Sequence, residues 1–124
     1  MLKVLIADDE EKICQLIIKL INWEEMGLKI AATASNGIEA LEQAKICKPE
    51  ILITDIRMPG IDGMELIRKV KEKLPDTEII IISGYRHFEY AQTAIRYGVR
   101  NYLLKPIKKA MSLTLAKSRN RKHL

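Results

Sequence analysis

Aromatic residues are scarce in this 124-residue chain, 5% in all with one Trp and one Phe, so a core has to be assembled mainly from Ile, Leu, Val and Ala. Cysteine is nearly as rare. Cys14 and Cys47 each fall inside a helical pattern with no second Cys or His at a ligand spacing, which excludes a disulfide framework and a zinc site and leaves small buried thiols in a reducing compartment. His87 and His123 are equally isolated. No apolar run approaches the roughly 18 to 20 residues that crossing a bilayer takes, and Met1 to Ala7 meets Asp8-Asp9-Glu10-Glu11 too soon for a signal peptide. A cytoplasmic chain with no membrane partner is expected. Acid is missing from residues 105 to 124, which hold seven Lys or Arg and leave the first 104 residues with 14 basic against 16 acidic groups. The formal charge of +5 therefore belongs to the tail, and with no interleaved aromatics that tail is expected to be a solvated end rather than a nucleic-acid surface.

What the chain has in quantity is short apolar runs that alternate with helical stripes. Val4-Leu5-Ile6-Ala7 closes on Asp8-Asp9, and Ile13, Leu16, Ile17, Leu20 and Ile21 then repeat at helical spacing, with Asp9 or a neighbour as the cap. After Asn22 to Gly27, where Trp23 lids the end of that helix, Leu28 to Ala34 forms a second strand. Ser35-Asn36-Gly37 starts a helix with Ile38, Leu41 and Ala44 inward, and Pro49 precedes a third strand, Ile51 to Asp55. Asp62-Gly63 opens a helix carrying Leu66, Ile67, Val70 and Leu74, ended by Pro75. Ile79-Ile80-Ile81-Ile82 is a strand of four β-branched residues ending on Ser83-Gly84. A helix with Phe88, Ala91, Ala94 and Ile95 inward runs to Gly98, then Tyr102-Leu103-Leu104 is a fifth strand ending on Lys105-Pro106. Ile107, Met111 and Leu115 make a last helix that Ser112 and Thr114, poor helix formers, weaken, and disorder is expected from Ser118 onward. The expected division is one domain over 1–117 and a basic, disordered tail over 118–124.

Five β-α units in succession predict an α/β protein: a parallel sheet with helices on both faces, joined by right-handed crossovers. In such a sheet the carboxyl ends of the strands converge on one edge. Strand one delivers Asp8 and Asp9 there, strand three Asp55, strand four Ser83 and strand five Lys105. Strand two delivers nothing, as it would at the edge of a sheet ordered 2-1-3-4-5, the order of the flavodoxin-like (βα)5 three-layer sandwich. Singly, these residues pass as a helix cap, a turn former, a turn hydroxyl and a solvated lysine. Together they make a chemical set. Three carboxylates at close range need protonation, a basic partner or a hard cation, and all-oxygen ligands favour Mg²⁺. A carboxylate beside Mg²⁺ can accept a phosphoryl group, with Lys105 offsetting charge on the transferring oxygens and Ser83 hydrogen-bonding one of them afterward.

Asp8-Asp9, Thr54-Asp55-Ile56-Arg57-Met58-Pro59-Gly60, Asp62-Gly63, Ser83-Gly84 and Tyr102-Leu103-Leu104-Lys105-Pro106 resemble, in order and spacing over residues 1 to about 107, the motifs of two-component response-regulator receiver domains. Asn22 to Gly27, Ser83-Gly84-Tyr85 and Phe88-Glu89-Tyr90-Ala91 are further similar to receivers that precede AraC-type helix-turn-helix output domains. The resemblance implies that Asp55 is the phosphoacceptor, and that Asp9, Asp55 and the Arg57 backbone carbonyl bind Mg²⁺ directly with Asp8 helping through water. It makes Lys105 the phosphate-binding lysine, Ser83 the switch hydroxyl and Tyr102 the switch aromatic, and it implies a cis Lys105-Pro106 bond. A sensor histidine kinase is the implied donor, with self-dimerisation on phosphorylation and DNA contact only through an output domain. With 18 residues after Pro106, that output domain is expected to lie outside this chain. The last helix departs from the family, since Lys108 to Leu124 has no acid.

The implied function is a phosphoacceptor switch that acts on itself rather than an enzyme with an outside substrate. Its main rival is a receiver fold used as a phosphorylation-independent interaction module. A flavin carrier would need a hydroxyl-rich phosphate loop after strand one, where Asp8-Asp9-Glu10-Glu11 would repel phosphate, and a dinucleotide binder would need a Gly-rich turn there. A phosphatase would want a deeper pocket and a dedicated general acid.

Overall fold

The computed structural model describes residues 1–84, 88–99, 101–105 and 108–122. Five strands alternate with five helices: β1 (Leu2–Ala7), α1 (Glu11–Leu20), β2 (Leu28–Ala34), α2 (Gly37–Cys47), β3 (Ile51–Asp55), α3 (Gly63–Lys73), β4 (Glu78–Ser83), α4 (Phe88–Arg96), β5 (Asn101–Leu104) and α5 (Lys108–Lys122). All neighbouring strands pair parallel in the order β2-β1-β3-β4-β5, the flavodoxin-like arrangement. The expected cis bond at Pro106, together with Tyr85 and Ile107, lies outside the described residues.

Strand alternation divides the core into two layers. Leu5, Ala7, Leu52, Ile79 and Ile81 face one side, where Ala40 and Ala44 of α2, Leu66, Ile67 and Val70 of α3 and Ala94 of α4 cover them. Val4, Ile6, Ile51, Ile53, Ile80 and Ile82 face the other, under Cys14 and Ile17 of α1 and Met111 and Leu115 of α5. The central strands β1, β3 and β4 are thus covered on both faces, and every residue of β3 is buried. That explains their near-continuous apolar sequences.

Three helical stripes differ from expectation. In α1 the buried positions are Cys14 and Ile17, with Ile21 just beyond, while Leu16 and Leu20 stand more than 40% exposed. In α2 the small residues Ala40 and Ala44 face the sheet and Ile38 faces outward, because a helix lying close on a sheet leaves room for a methyl group and no more. Ile95 of α4 is also exposed.

The expectation of a disordered end from Ser118 is corrected: α5 continues to Lys122. Ser118 is fully buried, Arg119 donates to the Met26 carbonyl at 3.2 Å, and Arg121 pairs with Glu78 and bonds Ser118. These tertiary contacts override weak local propensity. Trp23 packs against the α1 and α5 layer and donates its indole N–H to the Ile18 carbonyl at 3.0 Å, closing the end of α1 as expected.

Candidate functional site

Asp55 ends β3 with only 6% of its surface exposed. Its Oδ1 accepts from the N–H of Ile56 at 2.7 Å and its Oδ2 accepts from Lys105 Nζ at 3.0 Å. The close seating depends on Gly63, at the first position of α3. A Cβ there would sit 2.2 Å from the Asp55 carbonyl oxygen and 2.7 Å from the Ile56 Cα, so only glycine lets α3 begin against the peptide that carries the carboxylate. Gly63 also donates its N–H to the Ile56 carbonyl at 2.6 Å, and Asp62 caps the helix by accepting from Glu65 N. On the other flank of the loop, a Cβ on Gly37 of α2 would lie 2.0 Å from the Ile61 carbonyl. The β3-α3 loop is therefore held between two helix starts.

Lys105 reaches Asp55 across 50 residues of sequence. Its backbone N–H donates to the Ser83 carbonyl at 2.8 Å, which ties the end of β5 to the end of β4. Its ammonium lies 3.1 Å from Asp8 Oδ2, 3.0 Å from Asp55 Oδ2 and 3.2 Å from Glu10 Oε1. Burial alone would lower the Lys105 pKa, but hydrogen bonding to Asp55 and the charges of Asp8 and Asp55 outweigh it and hold the ammonium well above the usual lysine range. The lysine stays charged at any physiological pH.

Asp8 is 1% exposed, and its Oδ1 accepts from the Glu10 N–H at 2.9 Å. Its Oδ2 is buried with no aligned hydrogen-bond donor, even though the ammonium is close enough for an ion pair. Burial, with the nearby Asp55 charge adding to it, raises the Asp8 pKa from 3.8 to about 6 against the opposing Glu10 N–H and Lys105. The cap expected at Asp9 or a neighbour falls on Glu10, whose side chain makes no cap bond, and Asp9 is exposed.

One carboxylate oxygen from each of Asp8, Asp9, Glu10 and Asp55 lies within 4.8 Å of the others. Four hard oxygen donors, one of them a buried oxygen with no aligned donor, form a set that a small divalent cation fits. Of the expected residues, Asp8, Asp9, Asp55 and Lys105 are thus brought together. Ser83 is fully buried at the end of β4, one position past the residue paired with Asp55, and Tyr102 is half-buried against the α3 and α4 layer. The Arg57 side chain is exposed just after β3. Glu10 was not among the expected site residues. Its only signal in the sequence is its place as the third acid of a run.

The two cysteines are free, Cys14 buried and Cys47 partly so. Burial pushes the Cys14 thiol up to about 11, which keeps it protonated and inert, consistent with a core role. Among the described residues, no helix is long and apolar enough to cross a membrane.

Comparison with known proteins gives a consistent picture. The family model described as the response regulator receiver domain matches residues 4–116. The chain is 47% identical over 106 residues to the uncharacterized transcriptional regulatory protein YesN of Bacillus subtilis (strain 168), covering 86% of this chain and 29% of that protein. It therefore spans less than a third of that relative. The structure of the REC domain of AraT, a response regulator from Geobacillus stearothermophilus, superposes with a TM-score of 0.93 at 41% identity, covering 98% of this chain and 95% of that one. A two component transcriptional regulator AraC from Clostridium phytofermentans superposes with a TM-score of 0.88 at 35% identity, covering 97% and 94%.

Proposed function

The chain belongs to the response regulator receiver domain family, and from that premise we propose that it is a phosphorylation switch whose acceptor is Asp55. The observation that carries this reading is the convergence of four carboxylates and Lys105 at the carboxyl edge of the sheet, with Asp55 at its centre. The donor is a phosphohistidine on a sensor histidine kinase. An Asp55 carboxylate oxygen attacks phosphorus, an O–P bond forms as the N–P bond breaks, and the electron pair returns to the departing imidazole nitrogen.

Asp9, Asp55 and the Arg57 backbone carbonyl would hold Mg²⁺ directly, with Asp8 acting through water. When bound, the ion offsets negative charge on the transferring oxygens. The Lys105 ammonium, already within hydrogen-bonding distance of Asp55, neutralises the same oxygens from the β5 side. The Ile56 N–H fixes the carboxylate plane and leaves the reacting group little freedom to turn.

After transfer, Ser83 hydrogen-bonds a phosphoryl oxygen and the Tyr102 ring turns toward the space it leaves. This remodels the surface made by α4, β5 and α5, through which the domain dimerises or controls an output, assayed as transcription. Such a change needs only a few kcal/mol of differential stabilisation between two pre-existing states. The domain works on its own carboxylate, in the cytoplasm, and any DNA contact is made through an output domain.

The test is Mg²⁺-dependent reaction with acetyl phosphate, followed by intact mass, with Asp55→Asn as control. A single phosphoryl adduct that requires both Mg²⁺ and Asp55 is expected. Stoichiometric labelling of Asp55→Asn removes Asp55 from the role, and no adduct on a folded, Mg²⁺-binding protein favours a phosphorylation-independent interaction module.

A further inference from the structure

Thr54 is fully buried one residue before Asp55, in a layer that is otherwise apolar. Its partners on the adjoining strands are Ala7 and Ile81, both fully buried, and it shares the α2 and α3 face of the sheet with Leu52, two residues earlier. A polar group in such surroundings is costly unless it is hydrogen-bonded. The Thr54 hydroxyl donates to the Asp55 carbonyl oxygen at 2.9 Å. That carbonyl belongs to the peptide unit whose other end, the Ile56 N–H, donates to Asp55 Oδ1 at 2.7 Å. One rigid plane carries both bonds.

We propose that Thr54 is a positioning residue for the acceptor: its hydroxyl fixes the Asp55–Ile56 peptide plane, and that plane aims the Ile56 N–H at Oδ1, so that the carboxylate presents Oδ2 to Lys105. The inference rests on Asp55 as the phosphoacceptor. Because the peptide is planar, its C=O and N–H cannot turn independently, and a bond to the oxygen limits where the hydrogen points. The start of α3 bounds the same oxygen, close enough that a Cβ on Gly63 would lie 2.2 Å from it, while the Gly63 N–H holds the next carbonyl, that of Ile56, at 2.6 Å. A hydroxyl on the oxygen also polarises the peptide and strengthens the bond that its N–H makes. The reacting carboxylate is thereby oriented before metal or phosphodonor arrives, and orientation of that kind lowers the barrier to transfer. Valine would match the shape of Thr54 and leave the layer wholly apolar, but it would release the plane.

Thr54→Val removes the hydroxyl and keeps the branched shape, whereas Thr54→Ser keeps the hydroxyl and drops the methyl, so the pair separates the hydrogen bond from packing. Two quantities are read on each variant: the Ile56 amide resonance of the metal-free protein by nitrogen-15 NMR, and the rate constant for Mg²⁺-dependent reaction with acetyl phosphate, followed by intact mass. A positioning role predicts that Thr54→Val moves the Ile56 proton upfield and slows the reaction by about two- to tenfold, the worth of one neutral hydrogen bond, with Thr54→Ser close to the unaltered protein in both. Equal slowing in the two variants assigns the effect to the methyl group and overturns the proposal. So does a Thr54→Val protein that reacts at the unaltered rate or leaves the Ile56 resonance in place. If the unaltered protein accepts no phosphoryl group, the acceptor reading fails by itself, and the Ile56 resonance still decides the hold of the hydroxyl on the peptide: an unmoved signal in Thr54→Val overturns it, and a moved signal restored in Thr54→Ser upholds it.

Discussion

Replacing Asp8 with Asn should make the metal-free protein more stable, although it removes a carboxylate from the centre of the proposed site. Asp8 is 1% exposed and its pKa rises from 3.8 to about 6, chiefly through burial. One pKa unit corresponds to about 1.36 kcal/mol, so ionised Asp8 costs the folded state up to about 3 kcal/mol. A carboxyl that binds its proton more tightly when folded than when unfolded favours the folded state at low pH. That contribution is complete below pH 3.8 and is lost as the pH rises through about 6. Asn never ionises, so it avoids the loss. Lys105 gives up one ion-pair partner but keeps Asp55 and Glu10, which reduces the net gain to about 1 to 2 kcal/mol. Urea unfolding in a chelator, followed by circular dichroism from pH 3.5 to 8, measures the difference between the two proteins. The Asn variant should be more stable at pH 8 and lose its advantage toward pH 3.5. Equal stability at pH 8, or a gain independent of pH, would refute the assignment of burial as the cause. Excess Mg²⁺ should reverse the ranking, since binding to the folded state stabilises by mass action and the variant binds less.

Gly63→Ala should destabilise by about 2 to 4 kcal/mol because its Cβ would lie 2.2 Å from the Asp55 carbonyl oxygen; an unchanged urea midpoint would show that the loop yields freely. Lys48, the C-cap of α2, is held at φ 47° in the left-handed region, so Lys48→Gly should raise stability by about 0.5 to 1 kcal/mol in thermal unfolding. Truncation after Ala116 removes buried Ser118 and the contacts of Arg119 and Arg121, and should cost about 1 to 2 kcal/mol; no loss would restore the picture of a disordered end.

The strands were the most legible part of the sequence. The expected limits of β2 and β3 match those observed, because a buried strand and its bounding turns both leave marks on composition. Helix faces were less legible. Leu16 and Leu20 satisfy a helical stripe as well as Cys14 and Ile17 do, and hydropathy favours Leu, but the sheet takes the narrower strip. In α5 the apolar spacing of Met111 and Leu115 continues through Thr114 and Ser118, which are buried although their hydroxyls made that face look polar. The acidic edge followed from strand order, and Glu10 did not. A run of four acids does not say which side chain turns inward, and Glu10 is drawn in by Lys105 from 95 residues away.

The two glycines beside the β3-α3 loop amount to a mechanical tolerance. With Gly37 set against Ile61 and Gly63 against the Asp55 backbone, there is no slack on the α2 and α3 sides of the β3-α3 loop. A group added to Asp55 cannot push backward into its own scaffold. On the proposed role of Asp55, that bulk would be taken up toward β4 and β5, where the Lys105 N–H donates to the Ser83 carbonyl. The rigidity of one flank gives the other its direction of travel, so a loosened Gly63 variant should blur the response at β5 even where it still accepts phosphate.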